Sequence, residues 1–305
     1  MIYFITIHWK IKSWIYTQLE YIHNYTPEPY RIYCLSTGID FRDYSDKFFF
    51  IQDTEVESHV CKINFLAKKI CAVGNNDDLL IFIDGDAFPI AHYLPFIKKK
   101  IEKHKLIAIR RDENRGDNFP HPSFCATTIK FWKDIKGTWA YHKIKNSQGF
   151  LVNDAGTKLL LILQKNNINW YPMLRTNEKN LHPVFYGIYE KIIYHHVAGY
   201  RKPFVRDDFR RIGLDKKNLI RIYRRILLIL LGSKFVSYNK SKLTSTIKKL
   251  VSTLNRTIVR KIVLMLKSTR YIKDRNAIEL ENEKISKKII NKIQNNDKFY
   301  EIFMN

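Results

Sequence analysis

The 305-residue chain has only four cysteines, Cys34, Cys61, Cys71 and Cys125, and no two of them form a C-x-x-C pair. A disulfide framework is excluded, no zinc-site spacing appears, and a reducing cytoplasm is the expected compartment. Long apolar runs are also missing. The longest strictly apolar stretch of the last hundred residues, Ile226–Leu231, is far short of the ~20 residues that span a bilayer. Met1–Trp9 is apolar but has no basic n-region, and its β-branched density is that of a strand. The expectation is a chain with no targeting segment that does not cross a membrane, though it can lie on one. Acids are the third scarcity. Against 53 Lys+Arg stand 29 Asp+Glu, a net charge of +24.

That imbalance is concentrated. Residues 205–305 hold 25 basic and 9 acidic residues, whereas residues 1–204 hold 28 and 20. From Lys216 to Lys273 there are 16 Lys/Arg and no acid. Such a field implies an anionic partner, either nucleic acid or an acidic membrane surface. At 45% hydrophobic and 14% aromatic residues, the chain nevertheless has material for a sizeable core, so it is not a disordered basic tail.

The first two hundred residues alternate between strand and helix periodicities. Ile2–His8, Tyr30–Leu35, Phe48–Gln52, Leu79–Ile83, Leu106–Ile109, Phe124–Ile129 and Lys191–His196 read as strands. Ile11–Tyr25, Glu57–Val73 and Thr157–Gln164 read as helices. His59, Lys62 and Lys69 fall on the second helix as exposed residues rather than ligands. The alternation implies an α/β domain with a mainly parallel central sheet. In such sheets ligands bind beyond the carboxyl ends of the strands.

Beyond the apolar strand Leu79–Ile83 comes Asp84-Gly85-Asp86. Two carboxylates one residue apart can face one hard cation, Mg²⁺ or Mn²⁺, and the intervening glycine lets backbone approach a ligand. An Asp-Gly turn after a strand is the plain alternative. A dehalogenase-type phosphatase also begins with D-x-D, but it wants Thr or Val next and a position near the N-terminus; Ala87-Phe88-Pro89 follows here. A second constellation is Tyr194-His-His196-Val-Ala-Gly199-Tyr-Arg-Lys202-Pro203-Phe204. His196 is a candidate third ligand, Gly199 permits close approach to a phosphate, and Lys202 offers a point charge.

Together the two motifs resemble those of the GT-A glycosyltransferases. The apolar strand ending in D-x-D is their nucleotide-sugar signature. H-x-x-G-x-x-K-P-F is similar to the C-terminal motif of the retaining family containing glycogenin and the lipopolysaccharide galactosyltransferases, where Trp usually stands in place of Phe204. The segments 109–132 and 146–163 also look like stretches of uncharacterised bacterial glycosyltransferases. The resemblance covers about residues 1–204. It implies a Rossmann-like nucleotide-sugar-binding domain in which Asp84, Asp86 and His196 hold the metal while Gly199 and Lys202 contact the diphosphate. It also implies that a leaving phosphate, rather than a protein base, assists the acceptor hydroxyl.

Between the motifs, Arg110, Arg111 and Arg115 follow a strand. Arg110 is a catalytic candidate for pairing with donor phosphate or an acidic acceptor, with a surface salt bridge as the other reading. Asp154 either orients donor-sugar hydroxyls and meets positive charge at the anomeric carbon, or only caps the helix that follows. His121-Pro122-Ser123 reads as an acceptor-facing loop. His182-Pro183 with Phe185, Tyr186 and Tyr189 either lines a sugar site or belongs to the core.

In residues 205–305, Leu243, Ile247, Leu250, Leu254, Ile258 and Ile262 recur at helical spacing among Lys and Arg. A basic amphipathic helix of this kind suits an anionic membrane interface; a hairpin packed on the first domain shares the periodicity. The expectation is a catalytic domain (1–204) and a membrane-associating tail (205–305), acting peripherally on the inner face of the cell membrane. The substrates are then a nucleotide-sugar donor and a glycan or glycolipid acceptor. The competing class is a nucleic-acid-binding protein that grips phosphates through 216–273, for which no motif speaks beyond charge.

Overall fold

In a computed structural model the described residues are 1–197, apart from 11, 57, 115 and 178–185, together with Asn291. Gly199, Lys202, Arg115, His182, Phe185 and the basic 216–273 segment lie outside the described residues.

The chain runs β1 (Ile2–Trp9), α1 (Ser13–Tyr25), β2 (Tyr30–Thr37), β3 (Phe50–Asp53), α2 (His59–Val73) and β4 (Leu79–Ile83). It continues through β5 (Ala87–Pro89), α3 (Leu94–His104), β6 (Leu106–Ile109), β7 (His121–Thr128) and α4 (Ile129–Asp134). Then come β8 (Ile144–Lys145), β9 (Leu151–Val152), α5 (Thr157–Lys165), β10 (Tyr171–Met173), β11 (Gly187–Tyr189) and β12 (Ile193–His195). The main sheet has seven strands in the order β10-β6-β7-β4-β1-β2-β3. Strand β7 is antiparallel to both neighbours, and the other four pairings are parallel.

Strand alternation explains why both faces are covered. Leu79, Ile81 and Ile83 of β4 pack with Ile15 and Ile22 of α1 and Leu94 and Ile97 of α3. Leu80 and Phe82 point the other way, among Leu66 and Ile70 of α2, Trp132 of α4 and Leu159 of α5. A central strand buried on both sides must be continuously apolar, and Leu79–Ile83 is.

The parallel strands bring β1, β2, β3, β4, β6 and β10 to the same edge with their carboxyl ends, and the antiparallel β7 brings its beginning there. Trp9, Thr37, Asp53, Asp84, Arg110 and His121 therefore gather along one rim from distant parts of the sequence. A second sheet, β11-β12-β5, lies across this rim, with β12 paired antiparallel to β5 so that His195 stands opposite Ala87.

Two expectations change. His121-Pro122-Ser123 is strand, not loop: β7 begins at His121, and the register with β6 shifts between Ala108, opposite Cys125, and Ile109, opposite His121, so the extra residues lie on β7. Lys62 is buried, and its ammonium donates to the Thr37 hydroxyl at the end of β2. Its long apolar stem crosses the core side of α2 while its charge reaches the rim.

Phe82 sits between Trp132 and Trp139, with ring centroids 4.7 and 5.2 Å away. Phe82→Ala should therefore destabilise the chain by about 3–5 kcal/mol, read as a fall in urea midpoint. A loss under about 1 kcal/mol would mean this face of the sheet is not the packed core described.

Candidate metal centre

The turn that follows β4 is held from behind by a helix side chain. Gln18, fully buried on α1, reaches across β1 to it. Its side-chain amide nitrogen donates to the Asp84 carbonyl at 2.7 Å and to the Ala87 carbonyl at 2.8 Å. Its oxygen accepts from the Thr6 hydroxyl at 2.9 Å and meets His8 Nε2 at 3.0 Å. With the amide so oriented, His8 carries its proton on Nε2. Burial, opposed by the Gln18 hydrogen bond and by Asp86, lowers the His8 pKa to about 4, so the ring is neutral at pH 7. The turn closes on itself through Ala87 N–H to the Asp84 carbonyl at 2.9 Å.

Gly85 is required for a reason other than ligand approach. A Cβ there would stand 2.4 Å from the Ile7 carbonyl oxygen and 2.8 Å from His8 Nδ1. The missing side chain lets the turn lie against β1.

With the backbone held, the two carboxylates face a common neighbour. His195 Nε2 lies 3.4 Å from Asp86 Oδ1 and 3.6 Å from Asp84 Oδ2. One ligand atom from each of Asp84, Asp86 and His195 falls within 4.8 Å of the others. Two carboxylate oxygens and an imidazole nitrogen at this separation form a donor set suited to Mn²⁺ or Mg²⁺. Burial pushes the Asp84 carboxyl up; His59 and His195 work against that, and Asp86 adds to it. His59, at the start of α2, brings Nε2 to 3.4 Å from Asp84 Oδ1 and is a member of the site rather than a remote helix residue.

His196 points elsewhere. Neighbouring strand residues face opposite sides of the strand, and the β12–β5 register turns His195 toward the carboxylates. The His196 ring lies 4.5 Å from Trp14 and 5.0 Å from Tyr186, and its Nδ1 is 2.8 Å from the Tyr194 hydroxyl. Its backbone N–H donates to the Asp86 carbonyl at 3.0 Å, tying β12 to the turn. Burial lowers the His196 pKa to about 4, with Asp86 opposing and His195 adding.

The arginine pair divides in the same way. Arg110 reaches Asp112 at 2.8 Å on the surface side. Arg111 is buried and donates to Asp154 Oδ2 at 3.0 Å, with Asp117 at 3.5 Å. Asp154 does not cap α5. Gly156 occupies that position, at φ +94°, where a Cβ would meet the Pro120 carbonyl oxygen at 1.8 Å. Asp154 Oδ1 instead accepts from the Ala155 N–H at 2.8 Å, so one oxygen is held by backbone and the other by Arg111. His121 stands beside His195 with ring centroids 6.3 Å apart, its Nδ1 accepting from the Ser123 N–H at 3.1 Å. Tyr186 and Tyr189 are core residues, and the Tyr189 hydroxyl donates to Glu113 at 2.6 Å.

Of the residues singled out in the sequence, Asp84 and Asp86 stand together, Asp154 is joined to Arg111, and Arg110 and His196 face away. Gln18, His59, Arg111 and His195 carry the geometry that spacing alone did not disclose.

No protein-family model matches the chain, and no curated protein matches it. Among solved structures it is similar to the galactosyltransferase LgtC in complex with donor and acceptor sugar analogues, at 12% identity and a TM-score of 0.31. That match covers 44% of this chain and 60% of the other, so it spans less than two thirds of that enzyme. A mannosyltransferase from Pyrobaculum calidifontis, in complex with GDP-Man and Mn²⁺, is similar over 92% of this chain and 84% of its own, at 10% identity and a TM-score of 0.41. The glycosyltransferase GlyE of Streptococcus pneumoniae is similar over 44% of this chain and 36% of its own, at 13% identity and a TM-score of 0.32.

The geometry can be tested from behind the turn and from its open side. Gln18→Leu, nearly isosteric, strands four buried polar partners and should cost about 2–4 kcal/mol in urea unfolding while weakening Mn²⁺ binding. Wild-type stability in this variant would show that the turn is held by something else. His195→Asn should weaken Mn²⁺ binding at least tenfold or so by titration calorimetry, whereas His196→Asn should leave it within about threefold. The reverse pattern would put the other histidine in the site.

Proposed function

We propose that the chain is a metal-dependent glycosyltransferase that moves a sugar from a nucleoside diphosphate donor to a lipid-linked or cell-surface glycan acceptor, with retention of configuration. The observation that carries the reading is the convergence of Asp84, Asp86 and His195 at the carboxyl edge of a mainly parallel sheet. That edge is where open α/β sheets bind ligands, and the donor set suits a cation that a diphosphate shares.

In this reading Asp84, Asp86 and His195 hold Mn²⁺ or Mg²⁺. When bound, the metal supplies electrostatic stabilisation of the departing diphosphate. Arg111 fixes Asp154, leaving a carboxylate that orients donor-sugar hydroxyls and faces positive charge developing at the anomeric carbon. Gly199 and Lys202 contact the diphosphate from the segment after β12. Protein groups exclude water and position the donor, while the leaving phosphate takes the acceptor proton. Arg110 lies at the rim, within reach of an acidic acceptor only after giving up Asp112.

Residues 1–204 form the catalytic part in this proposal, and 205–305 hold it on the inner membrane face through their basic, acid-free stretch. Among the described residues no helix is long and apolar enough to cross a membrane.

A thermal-shift screen of nucleotide sugars with and without Mn²⁺ tests the reading. One donor should raise the melting temperature only when metal is present, and Asp86→Asn should abolish that shift and lower transfer about 100-fold or more. Absence of any metal-dependent donor shift, or full activity in Asp86→Asn, would sink it.

A further inference from the structure

Between the buried Trp139 and Ala155 the chain leaves the core as an arm whose centre is the hairpin β8–β9. The arm carries three exposed large apolar side chains within eleven residues: Tyr141, Phe150 and Leu151, the last 68% exposed. In the paired strands Lys145 stands directly opposite Leu151, and Ile144 opposite Val152. Lys145 and Leu151 are exposed while Ile144 and Val152 are half-buried, so one face of the hairpin combines a cation with an aliphatic side chain. From Ile135 to Asn153 there is no acid, but there are Lys136, Lys143, Lys145 and His142.

Three large apolar side chains exposed on one short acid-free segment, beside cations, have the composition of a contact surface. We infer that this hairpin docks on an anionic lipid bilayer, with Leu151 and Phe150 entering the interface and Lys143 and Lys145 pairing with headgroup phosphates. The chemistry disfavours the other occupants. A second copy of the arm would set lysines against lysines with no acid to pair them. A nucleic acid backbone would leave Leu151 without an apolar partner. A sugar ring needs clustered hydrogen-bonding groups that the Lys145–Leu151 face lacks.

The arm is fastened at its tip and its base. At the turn, the Ser147 hydroxyl and N–H both donate to the Gly116 carbonyl, at 2.8 and 3.2 Å, in the loop that also carries Arg111 and Asp117. At its base the His142 N–H donates to the Thr157 hydroxyl at 2.8 Å. Two residues after β9 comes Asp154, held by Arg111. Leu151 therefore stands three residues before the carboxylate proposed to face the donor sugar. The inference deepens the proposed function, on which it rests for the meaning of Asp154, by naming the acceptor class as lipid-linked. It also adds a membrane contact separate from the basic 216–273 segment.

The test uses the full chain carrying Leu151→Cys, with Cys61→Ser and Cys71→Ser, since Cys34 and Cys125 are buried. The new thiol is labelled with an environment-sensitive fluorophore. Phosphatidylcholine vesicles containing phosphatidylglycerol should shift the emission to the blue, and lipids brominated on their chains should quench it. Pure phosphatidylcholine should do neither. Phe150→Asp with Leu151→Asp should weaken vesicle flotation about tenfold or more, while metal-dependent donor binding, read by thermal shift, stays unchanged. If the protein floats but the label keeps its aqueous emission, the hairpin inference is overturned and the tail remains the membrane contact. If nothing floats, both membrane readings fall while the donor assay still judges the enzyme. An emission shift produced equally by heparin would also overturn the lipid assignment.

Discussion

The site depends on one buried amide. A glutamine has two donor hydrogens and an oxygen with two lone pairs, and Gln18 uses all four positions inside the core. It joins two points of β1, Thr6 and His8, to two points of the turn after β4, the carbonyls of Asp84 and Ala87. Because the backbone carbonyls are satisfied from behind, the Asp84 and Asp86 side chains are left to face the rim. Gly85 completes the contact by lying against the Ile7 carbonyl, where any side chain would collide. Burial keeps His8 neutral, and this matters for the same network: a protonated ring would add a charge beside Gln18 in a place closed to water. The turn is thus held by α1 and β1, with β12 added through the His196 N–H on the Asp86 carbonyl, and the carboxylate side chains do not have to hold the chain.

A second constraint is strand alternation acting on adjacent pairs of like residues. His195 and His196 are equivalent to any argument from spacing, and so are Arg110 and Arg111. What separates them is the side each one faces, at the end of β12 for the histidines and just beyond β6 for the arginines. The β12–β5 register sets His195 against the carboxylates and packs His196 onto Trp14; a slip of one residue would exchange their roles. The H-x-x-G-x-x-K spacing counts from His196, whereas the converging imidazole belongs to the preceding residue. Arg111 is turned inward to Asp154 and Asp117, and Arg110 outward to Asp112.

Where a segment is uniform in character, the sequence was sufficient. Leu79–Ile83 and Leu106–Ile109 begin and end where the apolar runs do, because doubly covered strands tolerate nothing else. The carboxylate pair was legible for a related reason: it interrupts such a run at the edge where ligands bind. The polar core was not legible. His121-Pro122-Ser123 looks like a loop, yet it is a buried strand start reached through a shift in the β6–β7 register. Lys62 looks like a surface residue because its charge says so, yet its stem is buried and only its tip matters. Gln18 is one amide among several on an amphipathic helix, and its role appears only when β1 and the turn come within its reach.

In the proposed function, charge balance at the site sets what else the chain must supply. Two carboxylates with a divalent cation come to no net charge, so a diphosphate must find its compensation elsewhere. Three cations of the described residues are already engaged: Arg111 holds Asp154 and Asp117, Arg110 holds Asp112, and Lys62 donates to Thr37. Taking Arg111 or Lys62 for the diphosphate would leave a carboxylate or a hydroxyl unpaired in a closed setting, a cost that offsets most of the stabilisation from the new pairing. The proposed function therefore calls for cations beyond these three. Arg201 and Lys202, following the glycine of the second motif, are the next in the chain to offer them.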